Sequence, residues 1–218
     1  MMRHFQEELK ELRQKILQMG FAAEEAVEKA IDGYRDRNGS LVRSVIENEN
    51  IVNQFEIDID ALGHRLLALE HPVASDLRLV ITILKMNSDI ERIADHAENI
   101  AKRTLTLLEE PTLPTDFNIL KMAGLTLEMF NTAFDSFLKN DTKAAKIILT
   151  RDNEVDQFKY DIINGIEGLI ETQPTFARAG MNLAMIASDL ERIADLASNI
   201  AEDVVYFHQA KEVRHHSA

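Results

Sequence analysis

From Phe5 onward the apolar positions fall at Leu9, Leu12, Ile16, Met19, Ala23, Ala26 and Ala30. Steps of three and four lay one apolar stripe along one face of a helix. The same spacing returns along the whole chain, and no window sustains the period-two alternation of a strand. The pattern is interrupted at Asn38-Gly39-Ser40, His71-Pro72, Pro111 to Thr115, Asn140-Asp141-Thr142 and Gln173-Pro174-Thr175, where turn formers and capping residues cluster. Five breaks predict six long helices, over residues 5–36, 41–70, 76–109, 116–139, 142–171 and 176–210. Residues such as Leu127, Phe130, Phe134 and Phe137 then read as core.

The helices come in two sets. Ser88 to Ala101 (SDIERIADHAENIA) laid over Ser188 to Ala201 (SDLERIADLASNIA) gives 11 identities in 14 positions without a gap, at a shift of 100. Upstream the shift is 103, with Asn50 to Phe55 matching Asn153 to Phe158 and Ile16 to Met19 matching Ile119 to Met122. The chain is therefore all-α and a tandem duplication of a three-helix unit. Short connections make sequential helices antiparallel neighbours, so each unit is expected to be an up-down-up bundle. The expected limits are residues 1–110 and 116–211, joined by a connector carrying Pro111 and Pro114, with a polar tail over 212–218.

Composition narrows the chemistry. With no Cys among 218 residues there is no disulfide, thiolate nucleophile or Cys-ligated metal, and any metal must sit on oxygen or imidazole donors. The 24 Lys and Arg against 37 Asp and Glu leave a net charge of −13, which disfavours nucleic acid and favours cations and basic partners. No segment approaches the ~20 apolar residues of a membrane-spanning helix, and residues 1–13 lack the apolar stretch of a secretory signal. A cytoplasmic protein is the expectation.

On a helical wheel Glu91, Asp95, Glu98 and Lys102 share one narrow stripe, beside an apolar face of Ile90, Ile93, Ala94, Ala97, Ile100 and Ala101. In the second copy Glu191, Asp195, Ser198 and Glu202 take those positions. Asn99 and Asn199 lie beside the stripe, with Arg92 and Arg192 next to them. The preceding helix of each copy adds a matching row: Glu49, Asn53, Glu56 and Asp60 in the first, and Asp152, Asp156, Lys159 and Ile163 in the second. Carboxylates at i and i+4 repel, and a cation relieves them. Rows of oxygens facing across an antiparallel helix pair suit Mg²⁺, Mn²⁺ or iron. A lone pair of this kind is usually a solvated face; four at equivalent places leave a solvated surface and a cation site both open.

Other features carry less. His96 stands opposite Leu196 in the repeat and reads as incidental; Ser88-Asp89 and Ser188-Asp189 read as helix-surface spacers; His215 and His216 lie in the tail. The glycines form no G-x-G-x-x-G or phosphate-binding loop, the only Glu-x-x-His is Glu212 to His215, and no Ser–His arrangement recurs between the copies. No catalytic centre is expected.

The residues that repeat carry a family resemblance. Val52-Asn53-Gln54-Phe55-Glu56, Asp89 to Ala97, Asn99 to Lys102, Asp189 to Asp195 and Asn199-Ile200, with the doubled E-R-I-A-D, resemble the PhoU family of phosphate-signalling regulators over nearly the whole chain. The resemblance implies two similar three-helix bundles, often dimeric, in a cytoplasmic adaptor. Such an adaptor links the ATPase subunit of the phosphate-specific ABC transporter to a sensor histidine kinase and holds the phosphate-starvation response off. It also implies bound divalent or trivalent metal ions (magnesium, manganese, iron or zinc) on Glu/Asp-x-x-x-Asp motifs. Carried over position by position, these are Glu49, Asn53, Glu91 and Asp95, then Asp152, Asp156, Glu191 and Asp195. Because Asn53 is neutral where Asp156 is charged, the first site is expected to bind metal more weakly or in smaller number. The alternatives are a metal-dependent phosphohydrolase centred on Glu91 and Asp95, and a metal-free helical scaffold.

Overall fold

A computed structural model describes residues 2–69, 72 and 74–209. Its α-helices are α1 (Met2–Arg35), α2 (Gly39–Leu69), α3 (Ala74–Glu109), α4 (Ile119–Lys139), α5 (Thr142–Ile148), α6 (Asp152–Thr172) and α7 (Ala177–Gln209), with a 3₁₀ turn at Pro174–Phe176 before α7. Six of these are long, and no strand occurs among the described residues. The expected tail over 212–218, with His215 and His216, lies outside the described residues, as do the helix-end positions 70 and 210 and His71 of the second break.

The stripe read from α1 is the buried one, with a single drift. Leu9, Leu12, Ile16, Met19, Ala23, Val27 and Ala30 are buried, so Val27 takes the inward place expected for Ala26. An ideal helix rotates slowly against a strict 3/4 alternation, and the larger side chain is the one drawn into the core. Asn38 starts α2 by accepting the backbone N–H groups of Ser40 and Leu41 on its Oδ1 at 3.1 and 3.2 Å.

The predicted helix over 142–171 is two helices. At Thr150 and Arg151 the backbone N–H groups donate to carbonyls three residues back, Ile147 at 3.1 Å and Ile148 at 2.9 Å, which tightens the chain out of α geometry. The Thr150 hydroxyl also donates to the Ile147 carbonyl at 2.7 Å, competing for the acceptor a continuing helix needs. Arg151 reaches across to Glu128 of α4 at 2.6 Å. The break sets Asp152 and Glu154 in the first turn of α6, at the end of a helix that favours negative charge. Helix α4 likewise begins later than expected, at Ile119, because Phe117 and Asn118 are left-handed (φ 50° and 63°).

Helices α1, α2 and α3 pack on one another, and α4, α5 and α6 pack on α7. The two sets meet along α3 and α7 and, less extensively, α1 and α4. Buried side chains run without interruption from one set into the other. Gly20 marks the α1–α4 approach, where a Cβ would run into the Phe134 ring. Gly63 does the same for α2 and α3, since a Cβ there would strike Leu84.

Helices α3 and α7 run antiparallel, because Lys85 meets Asp203 whereas Arg103 meets Asp189. This seam is where the sequence reading needs correcting. Asp189 is buried, not a surface spacer, and holds two partners from α3: Arg103 Nε at 2.8 Å and His96 Nδ1 at 3.0 Å. His96 is thus an inter-repeat contact; its mate Leu196 is simply buried. Nothing in the local pattern marks this pairing, since the residues lie 93 and 86 positions apart.

Candidate functional site

The acidic rows meet as helix pairs. Asn87 of α3, 1% exposed, donates its amide to the Glu56 carbonyl at 3.1 Å and to Asp60 Oδ1 at 3.0 Å, locking α3 to α2. Above this lock stand Glu49, Asn53 and Glu56 of α2 and Glu91, Asp95 and Glu98 of α3, all half-buried. Burial raises the Glu91 carboxyl to about 6, with Asp95, Glu56 and Glu49 adding like-charge repulsion and Arg92 opposing it. Asp95 is raised by burial first, then by Glu49 and Glu98, and Glu56 by burial and then Asp60 and Asp95. Asn53 donates to Glu49, and Lys102 pairs with Glu98 at 2.6 Å.

The second row forms between α6 and α7. Burial again raises Asp195 to about 6, reinforced by Glu191, Asp152 and Asp156 and opposed by Arg192. Asp152 is raised by burial and then Asp156, and accepts the Ser198 hydroxyl at 3.3 Å. Lys159 reaches Glu191 Oε1 at 3.2 Å, and Arg192 lies 3.7 Å from Glu191 Oε2 and 3.4 Å from Asp195 Oδ2. Asp156 is exposed. The structure therefore brings together Glu49, Asn53, Glu91 and Asp95 on one face, and Asp152, Asp156, Glu191 and Asp195 on the other. Of the further candidates, Glu98 and Arg92 act on the first row and Arg192 on the second; Asn99 and Glu202 are half-buried, and Asn199 is exposed.

Both rows are open surfaces: among the described residues no group of three or more Asp, Glu or His side chains has the arrangement that holds a metal ion. Their chemistry nonetheless fits a hard cation. The donors are oxygens, their charges repel one another, and Glu191 Oε2 is buried without a hydrogen-bond partner. Asn87 is a contributor that the sequence reading did not single out; it ties down Asp60, the last carboxylate of the α2 row.

A twice-repeated helical bundle with an acidic row on the same helix pair of each repeat defines the class of protein. The PhoU domain model matches twice, over residues 16–104 and 119–204. The chain belongs to the PhoU family. It is 34% identical over 208 residues to the phosphate-specific transport system accessory protein PhoU homolog of Aquifex aeolicus, covering 95% of this chain and 94% of that one. Among solved structures, PhoU from Pseudomonas aeruginosa superimposes with a TM-score of 0.92 at 32% identity, covering 95% of this chain and all of that one. The phosphate transport system regulatory protein PhoU from Streptococcus pneumoniae gives 0.87 at 32% identity, covering 97% of this chain and all of that one.

Proposed function

We propose that this chain is an accessory regulator of phosphate-specific transport, acting as a signalling adaptor. The observation that carries the reading is the match of both repeats, in sequence and in fold, to proteins named for that transport system. The adaptor sits in the cytoplasm, pairs with a second copy of itself, and relays the state of the transporter's ATPase subunit to a sensor histidine kinase. The starvation response stays off while phosphate is plentiful. No helix among the described residues is long and apolar enough to cross a membrane, in keeping with contact through partners.

The two acidic rows hold the metal in this reading: Glu49, Asn53, Glu91 and Asp95 with Glu56 nearby, and Asp152, Asp156, Glu191 and Asp195. A bound ion, magnesium, manganese, iron or zinc, supplies positive charge that offsets the clustered carboxylates and offers open positions to a partner's groups. The protein's own part is to set the rows on rigid helices and, through Arg92, Arg192 and Lys159, to moderate their charge. The role in this reading is non-enzymatic, in line with relatives named as accessory proteins.

The test is alkaline phosphatase output in phosphate-rich medium from a host lacking its own regulator and supplied with this chain. Repression by the wild type, lost in Glu91→Ala/Asp95→Ala/Glu191→Ala/Asp195→Ala at equal expression and helicity, supports both the adaptor role and the rows. High output with the wild type removes the proposed pathway.

A further inference from the structure

A second polar feature, apart from both acidic rows, lies where the repeats join. A cleft of about 190 Å³ opens between the C-terminal ends of α1 and α3, the connector and the start of α4. That is room for about six waters at ~30 Å³ each, and a junction between repeated units is a preferred place for small ligands. Thr104 lines it, is 1% exposed, and has a buried Oγ1 with no hydrogen-bond partner. An orphaned buried hydroxyl beside a cleft is a group waiting for a partner.

The lining residues are richer in cations than the molecule as a whole. Two guanidinium groups, Arg35 and Arg37, face one carboxylate, Asp116, in a chain of net charge −13. Arg35 is held at the rim by Asp32 and Asp36, and Asp116 Oδ1 already accepts the Asn118 N–H at 3.2 Å. Arg37 is left-handed (φ 49°) and fixed by one nitrogen, which donates to the Leu107 carbonyl at 3.1 Å and more weakly to that of Leu108. Among the described residues its remaining N–H groups have no hydrogen-bond partner. Tyr34 lines the same cleft, and burial, aided by the Asp116 charge, pushes its phenol up to about 12, keeping it a neutral donor. Donors outnumber free acceptors.

We propose that this cleft binds a small oxyanion, held by the Arg37 guanidinium and the hydroxyls of Tyr34, Thr104 and Thr112. The site is independent of the metal reading, since it shares no residue with either row. The test titrates the full-length, ¹⁵N-labelled chain with inorganic phosphate, sulfate or acetate at constant ionic strength, with chloride as the reference, and follows the amides of residues 104–118. Saturable shifts with a Kd at or below about 1 mM are expected, phosphate or sulfate alone marking a tetrahedral preference and acetate a broader one. Arg37→Gln is expected to weaken binding about tenfold, and Thr104→Val about threefold with unchanged helicity. Absence of saturation, or shifts equal to those with chloride, overturns the proposal. If Arg37→Gln loses helicity, Tyr34→Phe and Thr104→Val decide: unchanged affinity in both overturns it as well.

Discussion

The two acidic rows stand on nearly identical segments, Ser88 to Ala101 and Ser188 to Ala201, yet they differ in electrostatic character because of the helices opposite them. In the first repeat α2 is continuous and supplies Glu56 and Asp60; in the second, α6 begins at Asp152 and supplies Lys159 and Ile163 at those positions. The changes come in matched sets. Where Asn87 holds Asp60 in the first repeat, the second has the buried Ala187 and the apolar Ile163. A hydrogen-bonded pair has been exchanged for an apolar one, so neither repeat sets a polar side chain against an apolar one here. Lys159, for its part, neutralises Glu191 within the chain. A duplicated frame thus keeps its core while the facing helix resets the charge.

That difference weighs against the expectation drawn from Asn53 alone, and we propose the opposite order. The neutral amide removes one charge from the first row, but Glu56 adds one; in the second row Lys159 sits on Glu191 of the motif itself, whereas Lys102 of the first row pairs with Glu98 outside the motif. The first row is the stronger cation site in our reading.

Substitutions at paired positions sharpen or break the comparison. The largest effect tests the shared frame: Ile93 and Ile193 are both fully buried, so Ile93→Ala and Ile193→Ala are each expected to cost about 3 kcal/mol. Urea denaturation giving costs that differ by more than about half would show that the two cores are not equivalent. Next, Asp189→Asn removes a buried charge held by Arg103 and His96 and leaves the Arg103 guanidinium without its carboxylate, for about 2 kcal/mol. Asp89→Asn, at the half-buried mate, is expected to cost less in the same denaturation series.

A smaller effect concerns the cation. Manganese binding followed by electron paramagnetic resonance is expected to be tighter in a Glu191→Gln/Asp195→Asn variant, which keeps the first row, than in Glu91→Gln/Asp95→Asn. Adding Lys159→Gln to the latter is expected to recover about tenfold, or ~1.4 kcal/mol. The opposite order returns the decision to Asn53.

The smallest effect is a pH dependence of the metal-free protein. Glu91 and Asp195 are raised to about 6 in the folded chain from 4.5 and 3.8. A raised carboxyl binds its proton more tightly when folded, so its stabilising contribution is complete below the unfolded value and lost as pH rises through about 6. Stability measured at pH 4 to 7.5 is expected to decline less in Glu91→Gln and Asp195→Asn than in the wild type. Both groups are only half-buried, so solvent screening holds each difference to under about 1 kcal/mol. Identical pH profiles would show that neither carboxyl is perturbed.

Much of the fold was legible because burial along a helix is a local, periodic signal. The stripe from Leu9 to Ala30, the breaks at Asn38 and Pro111, and the doubled E-R-I-A-D all follow from neighbours within a few turns. The break at Thr150-Arg151 was hidden, since each residue tolerates a helix and only the tertiary pull of Glu128 and the competing Thr150 hydroxyl end it there. The acidic rows were legible as charges sharing a face, but their perturbation was not, because burial by a neighbouring helix is the leading cause of every shift on them.

By itself, then, the sequence determined an all-α duplication and which carboxylates stand in line on each helix, properties set by periodicity over a few turns. Only the tertiary structure decided that α3 meets α7 through His96, Arg103 and Asp189, that Lys159 falls on Glu191, and that Arg37 and Thr104 share one cleft. Each of these joins residues more than thirty positions apart, where Coulomb forces and desolvation depend on distance in space and are indifferent to distance along the chain.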